Sequence, residues 1–262
     1  MPRRPRILSS TGIYHVMMRG INKGDLFADD RDREKFLEII EVTSSLGEYD
    51  IYAYCLMTNH IHLLIKETGD PIDRTMKRIG VSYSQHFNKR YERVGHVFQD
   101  RFRSETVENE RYLLGCIRYI HNNPVKAGII KQPEYYGWSS YSDYIGKGKF
   151  TRGITNTSLI LGIFSDNAEK AVQAFREFSM KEDEKDIFID YNDEDGNVKK
   201  EALQKRVNGI VSMHGLSIKE LAECEDRLKR DRVLKELKSI KGASIRQLAD
   251  ILSIGKNIIY KA

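Results

Sequence analysis

Residues 51–66, IYAYCLMTNHIHLLIK, carry the pattern from which we predict the fold. They read as two strands, 51–57 and 60–66, joined by a tight turn. Residues two apart on a strand point to the same face of a sheet, so His60 and His62 project together. Two neighbouring imidazoles on a rigid backbone can hold one divalent cation and leave positions open for a substrate. The hairpin is therefore the first candidate for a chemical site.

Strand and helix patterns on both sides of this hairpin predict the order β-α-β-β-α-β-α. The predicted elements are a strand at 13–19, a helix capped by Asp29–Asp30, the hairpin, a helix at about 71–90, a strand at 98–107 and a helix at about 109–123. Pro124 is expected to end the last helix. The order predicts an α+β fold, with a ferredoxin-like antiparallel sheet that carries helices on its faces and one added helix.

The composition indicates a soluble globular protein of one large domain or two modest ones. The chain has 262 residues, 40% hydrophobic and 31% charged, and a net charge of +5, which permits nucleic-acid binding without requiring it. No apolar run approaches the roughly 18 residues of a membrane span, and no targeting segment is apparent. The three cysteines (Cys55, Cys116 and Cys224) lie far apart, which argues against a zinc knuckle or a disulfide framework and favours the cytoplasm.

An acidic stretch at 181–195 divides the chain. We expect a domain at 1–130, an aromatic-rich and helical extension at 131–180 packed on it, an acidic linker at 181–200 and an all-α module at 201–262. The end of this module has the pattern of a helix-turn-helix, with a turn at Ser253–Gly255. An ordinary helical hairpin fits the same pattern equally well.

The helix at 109–123 carries a second set of reactive side chains. Tyr112, Cys116, Tyr119 and Asn123 follow one another at spacings of four, three and four, so they form one stripe. Tyr119 and Asn123 face the same way, one turn apart. A phenol beside an amide oxygen, set against two imidazoles, is typical of a metal-assisted nucleophilic site. Tyr112 is the rival nucleophile, although its place near the start of the helix favours packing.

Four segments of the chain resemble the single-tyrosine HUH transposases, and in particular the REP-associated tyrosine transposases. They occur in the order of that family and cover about the first half of the chain. The segments are 14–22 (YHVMMRGIN), 57–64 (MTNHIHLL), 95–102 (GHVFQDRF) and 119–128 (YIHNNPVKAG).

The resemblance implies roles for individual residues. His60 and His62 would be the HUH metal ligands, and Tyr119 the nucleophile. Insertion-sequence members carry a glutamine four residues after the tyrosine as the third ligand, and this chain has Asn123 there. His121 is an alternative ligand, but it points to a different side of the helix and is better read as a capping or surface histidine.

The implied activity is that of a metal-dependent DNA transposase. It would nick and rejoin single-stranded DNA at hairpin or palindromic ends through a covalent 5′-phosphotyrosine, with Mg²⁺ or Mn²⁺ as a Lewis acid and imidazole favouring Mn²⁺. The partner would be DNA and not a membrane, and the protein would act as a monomer or a homodimer. The alternatives are a non-catalytic nucleic-acid-binding regulator derived from a transposase and a metal-dependent RNA-processing enzyme.

Several polar residues are candidates for DNA contact, although charged helix faces are more often merely solvated. His15, on the first strand, is expected to be a core or sheet-face histidine and not a fourth ligand. The candidate DNA-binding residues are Arg19, Asn22, Arg74, Lys77, Arg78, Arg101, Lys256 and Asn257.

Overall fold

The chain divides into two units, Met1–Asp190 and Tyr191–Ala262. The structure, a computed structural model, describes residues 6–46, 48–148, 153–181, 188, 197–224, 226–238, 240 and 245–261. Within these residues, no helix is long and apolar enough to cross a membrane.

A four-stranded antiparallel sheet forms the centre of the first unit. Its strands are β1 (Ile13–Arg19), β2 (Tyr49–Leu56), β3 (His60–Glu67) and β4 (Arg103–Thr106), in the spatial order β2-β3-β1-β4. The connecting helices are α1 (Asp30–Ser44) between β1 and β2, α2 (Ile72–Arg90) between β3 and β4, and α3 (Glu110–Lys126) after β4. The predicted order of elements and the ferredoxin-like α+β fold are confirmed.

The first face of the sheet packs against α1 and α2. Asp29 starts α1 with a reciprocal capping box, in which its carboxylate accepts a hydrogen bond from Asp32 N at 3.2 Å. In α2 the apolar stripe is buried together with the side chains of β1 that point to this face. The stripe consists of Met76, Ile79, Tyr83 and Phe87. The core on this face is apolar, whereas His60 and His62 point to the other face.

The second face of the sheet packs against α3 and the segment that follows it. Cys116, Ile117 and Ile120 of α3 are fully buried there. The aromatic segment 133–145 covers β2, where Tyr136 Oη donates to Leu56 O at 2.8 Å. It includes the short helix α4 (Tyr141–Tyr144) and is followed by α5 (Ser158–Phe164) and α6 (Ala168–Met180).

The strand predicted at 98–107 is shorter than expected. Only Arg103–Thr106 pairs as a regular strand with β1. Upstream, the backbone touches the end of β1 at one bridge, Gly20 to Phe98. The carbonyl of Phe102 accepts a hydrogen bond from the Arg6 guanidinium at 2.9 Å instead of from a strand partner. The alternating pattern was wrong about strand length because residues 99–102, four in number, lie opposite only Met18 and Arg19, and this change of register interrupts the pairing.

The prediction that Pro124 ends the last helix was also wrong. α3 continues to Lys126 with Pro124 inside it. The proline removes one N–H, but it lies in the last turn, where the amide of Ala127 still donates to Asn123 O at 2.9 Å. Gly128, with φ of +70°, then ends the helix. The extra turn places Lys126 two helical turns beyond Tyr119.

The described residues of the second unit form helices and the turns between them. Its helices are α7 (Asn197–Met213), α8 (Ile218–Ala222), α9 (Arg227–Lys238), α10 (Ile245–Leu252) and α11 (Lys256–Lys261). Their buried side chains, among them Val207, Leu234 and Leu252, form a separate core. Ser253, with φ of +53°, makes the turn between α10 and α11.

Candidate active site

The two histidines of the hairpin lie on the second face of the sheet, beside β1. In the antiparallel register, His62 is opposite Met17 and His60 is opposite Arg19. Directly opposed residues point to the same face of a sheet. His60 and His62 therefore share their face with Arg19 and with His15, which is two residues before Met17. The ring centroids of His60 and His62 are 5.1 Å apart.

His60 is oriented by the residue before it. Its Nδ1 lies 2.8 Å from Asn59 Oδ1, while Asn59 Nδ2 donates to Lys23 O at 3.2 Å. Because the amide nitrogen is used by Lys23, the amide oxygen faces the imidazole, so His60 Nδ1 carries the proton. A neutral imidazole in this tautomer presents the lone pair of its Nε2.

His62 lies deeper and is fully buried. Its Nδ1 lies 3.1 Å from His15 Nε2, and the two rings are stacked with centroids 5.3 Å apart. Its Nε2 is buried and has no hydrogen-bond partner among the described residues. Burial, and then the neighbouring His60, His15 and Lys126, hold the pKa of His62 well below 6.5. At neutral pH His62 is therefore the uncharged form that binds a metal.

Tyr119 approaches this histidine pair from α3. Its ring meets the His62 ring edge-on at 5.6 Å and the His15 ring at 5.9 Å. Lys126 Nζ lies 4.5 Å from the Tyr119 ring centroid, and the ring of Phe188 lies 4.9 Å away on an inclined plane. The side chain is only 8% exposed. These contacts hold the phenol ring against His62 and His15 in a largely buried position.

Asn123 lies one turn beyond Tyr119 and is 6% exposed. Its Nδ2 donates to Tyr119 O at 3.0 Å. This bond uses the nitrogen end of the amide, so Oδ1 is the atom that can act as a ligand. Among the described residues, no group of three or more His, Cys, Asp and Glu side chains is placed to hold a metal. The set of His60, His62 and Asn123 is not a group of this kind, because its third member is an amide.

His121 lies in a different environment from the histidine pair. Its Nε2 is 2.8 Å from Ser140 Oγ, and its ring packs edge-on against Tyr141, Tyr144 and Phe175. Burial lowers its pKa to about 3. The side chain is fully buried, so it is neither a capping nor a surface histidine as expected from the sequence.

Tyr112 is held at the start of α3 by a carboxylate. Its hydroxyl donates to Glu105 Oε2 at 2.7 Å, and its ring lies 5.1 Å from that of Phe188. Glu105 is opposite His15 in the β1–β4 register.

The predicted DNA-binding residues fall into four groups. Arg19 is 6% exposed on the face of the histidine pair, whereas Asn22, Lys77 and Arg101 are exposed. Arg74 and Arg78 are ion-paired with Asp70 at 2.8 and 2.7 Å, and Arg78 also binds Glu48. The side chains of Lys256 and Asn257 lie outside the described residues.

Three side chains of the site were missed in the sequence. His15 was expected to have a packing role, but strand register brings it to His62. Lys126 is seven residues after Tyr119, a helical spacing that was hidden by the expected stop at Pro124. Phe188 belongs to an apolar triplet, IFI, inside the acidic stretch, and that interruption was a usable signal.

Comparison with known families identifies this part of the chain. Residues 9–123 match the family model described as "Transposase IS200 like". This segment, somewhat less than half of the chain, is therefore similar to the IS200-like transposases. The matched segment contains His60, His62, Tyr119 and Asn123.

The chain is also similar to a solved structure entitled "Structure of the REP associates tyrosine transposase bound to a REP hairpin". The two are 18% identical with a TM-score of 0.49, over 60% of this chain and 90% of that chain. The comparison with curated proteins finds no match.

Proposed function

We propose that this protein is an IS200-like transposase, a metal-dependent DNA strand-transferase that uses Tyr119 as its nucleophile. It nicks and rejoins single-stranded DNA at hairpin or palindromic ends through a covalent 5′-phosphotyrosine. The observation that carries the proposal is the ring of Tyr119 at 5.6 Å from His62, whose Nε2 is buried without a hydrogen-bond partner among the described residues. A buried, unsatisfied ring nitrogen is costly unless a ligand meets it.

The donor set fits a divalent cation. His60 presents the Nε2 lone pair by its hydrogen bond to Asn59, His62 is uncharged, and Asn123 offers an amide oxygen as the third ligand. Two nitrogen donors and one oxygen favour Mn²⁺ over Mg²⁺. When bound, the cation supplies Lewis-acid relief of the charge on the scissile phosphate.

Tyr119 carries the covalent step. Its phenolic oxygen forms a bond to the scissile phosphorus while the bond from phosphorus to the 3′ oxygen breaks. The phenol loses its proton, and the departing 3′ oxygen gains one to become a 3′-OH. Because the new linkage is still a phosphodiester, the reverse reaction can join a second 3′-OH end without ATP. Lys126 supports the step by keeping a positive charge next to the ring on which negative charge develops.

The surface around the histidine pair is proposed to take the DNA strand. Arg19 shares the face of His60, and Asn22 follows it in an exposed turn with φ of 53°. Lys77 and Arg101 are exposed and remain candidates for backbone phosphates. Arg74 and Arg78 already pair with acidic neighbours, so they are weaker candidates.

The role of the second unit is also a proposal. Its last two helices and their turn are compatible with a helix-turn-helix that adds DNA affinity, through Lys256 and Asn257 among others. Deletion of residues after 200 would then weaken duplex binding and leave cleavage intact. Measurement of the mass in solution distinguishes a monomer from a homodimer.

The test is the formation of a covalent adduct. The protein is incubated with labelled hairpin-bearing DNA oligonucleotides and Mn²⁺, and the label that stays on the protein is measured in a denaturing gel. We expect an adduct with the wild type and with Tyr112→Phe, the matched control on the same helix, and none with Tyr119→Phe.

Two results would overturn the assignment: an adduct with Tyr119→Phe, or none with the wild type over a range of hairpins. Hairpin binding without an adduct would indicate a non-catalytic regulator. Cleavage that needs a 2′-OH and leaves no adduct would indicate an RNA-processing enzyme.

A further inference from the structure

The hydrogen bond between His15 and His62 joins two buried rings. His15 is 1% exposed and His62 is fully buried. The atoms joined are His15 Nε2 and His62 Nδ1, at 3.1 Å. A neutral imidazole has one N–H and one lone pair, so only one of the two rings can be the donor. Which ring donates decides the state of the opposite nitrogen of His62.

The two arrangements have opposite consequences for metal binding. If His62 Nδ1 donates, its Nε2 carries a lone pair and can bind a cation. If His15 Nε2 donates, His62 carries its proton on Nε2 and cannot bind one. The neighbouring ligand His60 is already held in the first state by Asn59, through its own Nδ1.

The proposed metal site makes His62 the donor. Both His62 Nε2 and His15 Nδ1 are buried, so burial alone does not choose between the two arrangements. A cation at His62 Nε2 needs the lone pair of that atom, which leaves the proton of His62 on Nδ1, 3.1 Å from His15 Nε2. His15 then accepts at Nε2 and carries its own proton on Nδ1.

We propose that His15 is a positioning residue that accepts a hydrogen bond from His62 and thereby holds the Nε2 lone pair of His62 toward the metal. The proposal rests on the proposed function, because it assigns His15 to the metal site of the strand-transferase. His15 does not itself touch the metal or the DNA. It acts from outside the ligand set, as Asn59 does for His60.

The first test reads the tautomer without changing the site. The ¹⁵N chemical shifts of the two ring nitrogens of His62 are measured in the metal-free wild type at neutral pH, with the signal identified by its loss in His62→Gln. A protonated Nδ1 and an unprotonated Nε2 are expected. A protonated Nε2 would overturn the inference, whatever the metal-binding data.

The second test compares two replacements of His15. Leucine fills a similar volume but offers no acceptor, whereas glutamine offers an amide oxygen. Calorimetric titration with Mn²⁺ should give an affinity for His15→Leu lower by roughly 10-fold or more, and His15→Gln should recover most of that loss. His60→Ala, which removes a ligand, provides the reference for a damaged site.

The outcomes separate the inference from the proposed function. If the wild type binds no Mn²⁺, both fail. If the wild type binds Mn²⁺ and His15→Leu binds it equally well, only the role of His15 fails. If both variants lose affinity equally while their circular dichroism spectra match the wild type, His15 has a packing role and the inference is again overturned.

Discussion

Replacing His121 by glutamine should remove a specific part of the pH dependence of stability. The imidazole is fully buried among aromatic rings and beside Ser140. Burial lowers its pKa from 6.5 to about 3. In the unfolded chain this burial is absent and the pKa returns to about 6.5.

The sign follows from where the proton binds. Below pH 6.5 His121 binds a proton in the unfolded chain but not in the folded protein. The contribution of His121 to the free energy of unfolding is therefore fully present above pH 6.5 and falls as the pH is lowered toward 3. At pH 5 protonation of His121 raises the equilibrium constant of unfolding by a factor of about 30, or about 2 kcal/mol, because this pH is about 1.5 units below the pKa of the residue in the unfolded chain.

The assay is urea unfolding at pH 8 and at pH 5, followed by fluorescence. The chain has one tryptophan, and Trp138 packs against the core of the first unit, so the signal reports on that unit. Between the two pH values the wild type should lose about 2 kcal/mol more than His121→Gln. Because each protein is compared with itself at the two pH values, the loss of the hydrogen bond to Ser140 in the variant does not affect the result. An equal loss in both proteins would refute the reasoning.

Two further variants test the packing and the site. Phe175→Ala should lower the free energy of unfolding by about 3–5 kcal/mol in the same assay, because the fully buried ring stacks on Tyr144 with centroids 4.5 Å apart. A loss below about 1 kcal/mol would show that the cluster re-packs freely. Asn59→Ala should weaken Mn²⁺ binding by roughly 10-fold or more in calorimetry, since it releases His60 Nδ1. Unchanged affinity would exclude that role for Asn59.

Local periodicity carried much of the sequence prediction. The two-residue repeat of a strand places His60 and His62 on one face, and the four-residue spacing of a helix places Tyr119 and Asn123 on one stripe. The same periodicities predicted the order of strands and helices, which the structure confirms. These inferences need only neighbours along the chain.

Tertiary structure decided which of these local faces meet. The contact between His15 and His62 depends on the β1–β3 register, and 47 residues separate the two in the chain. The ion pairs of Arg78 with Glu48 and Asp70 form because α2 lies beside the start of β2. The sequence does not show these partners, so Arg78 was predicted to be available for DNA phosphates.

The sequence alone shows which candidate site residues share a face, namely His60 with His62 and Tyr119 with Asn123. The contacts of His15 with His62, of Lys126 with Tyr119 and of His121 with Ser140 appear only in the folded chain. The physical reason is that periodicity is a property of the local backbone, whereas register, helix ends and burial depend on packing between segments distant in the chain.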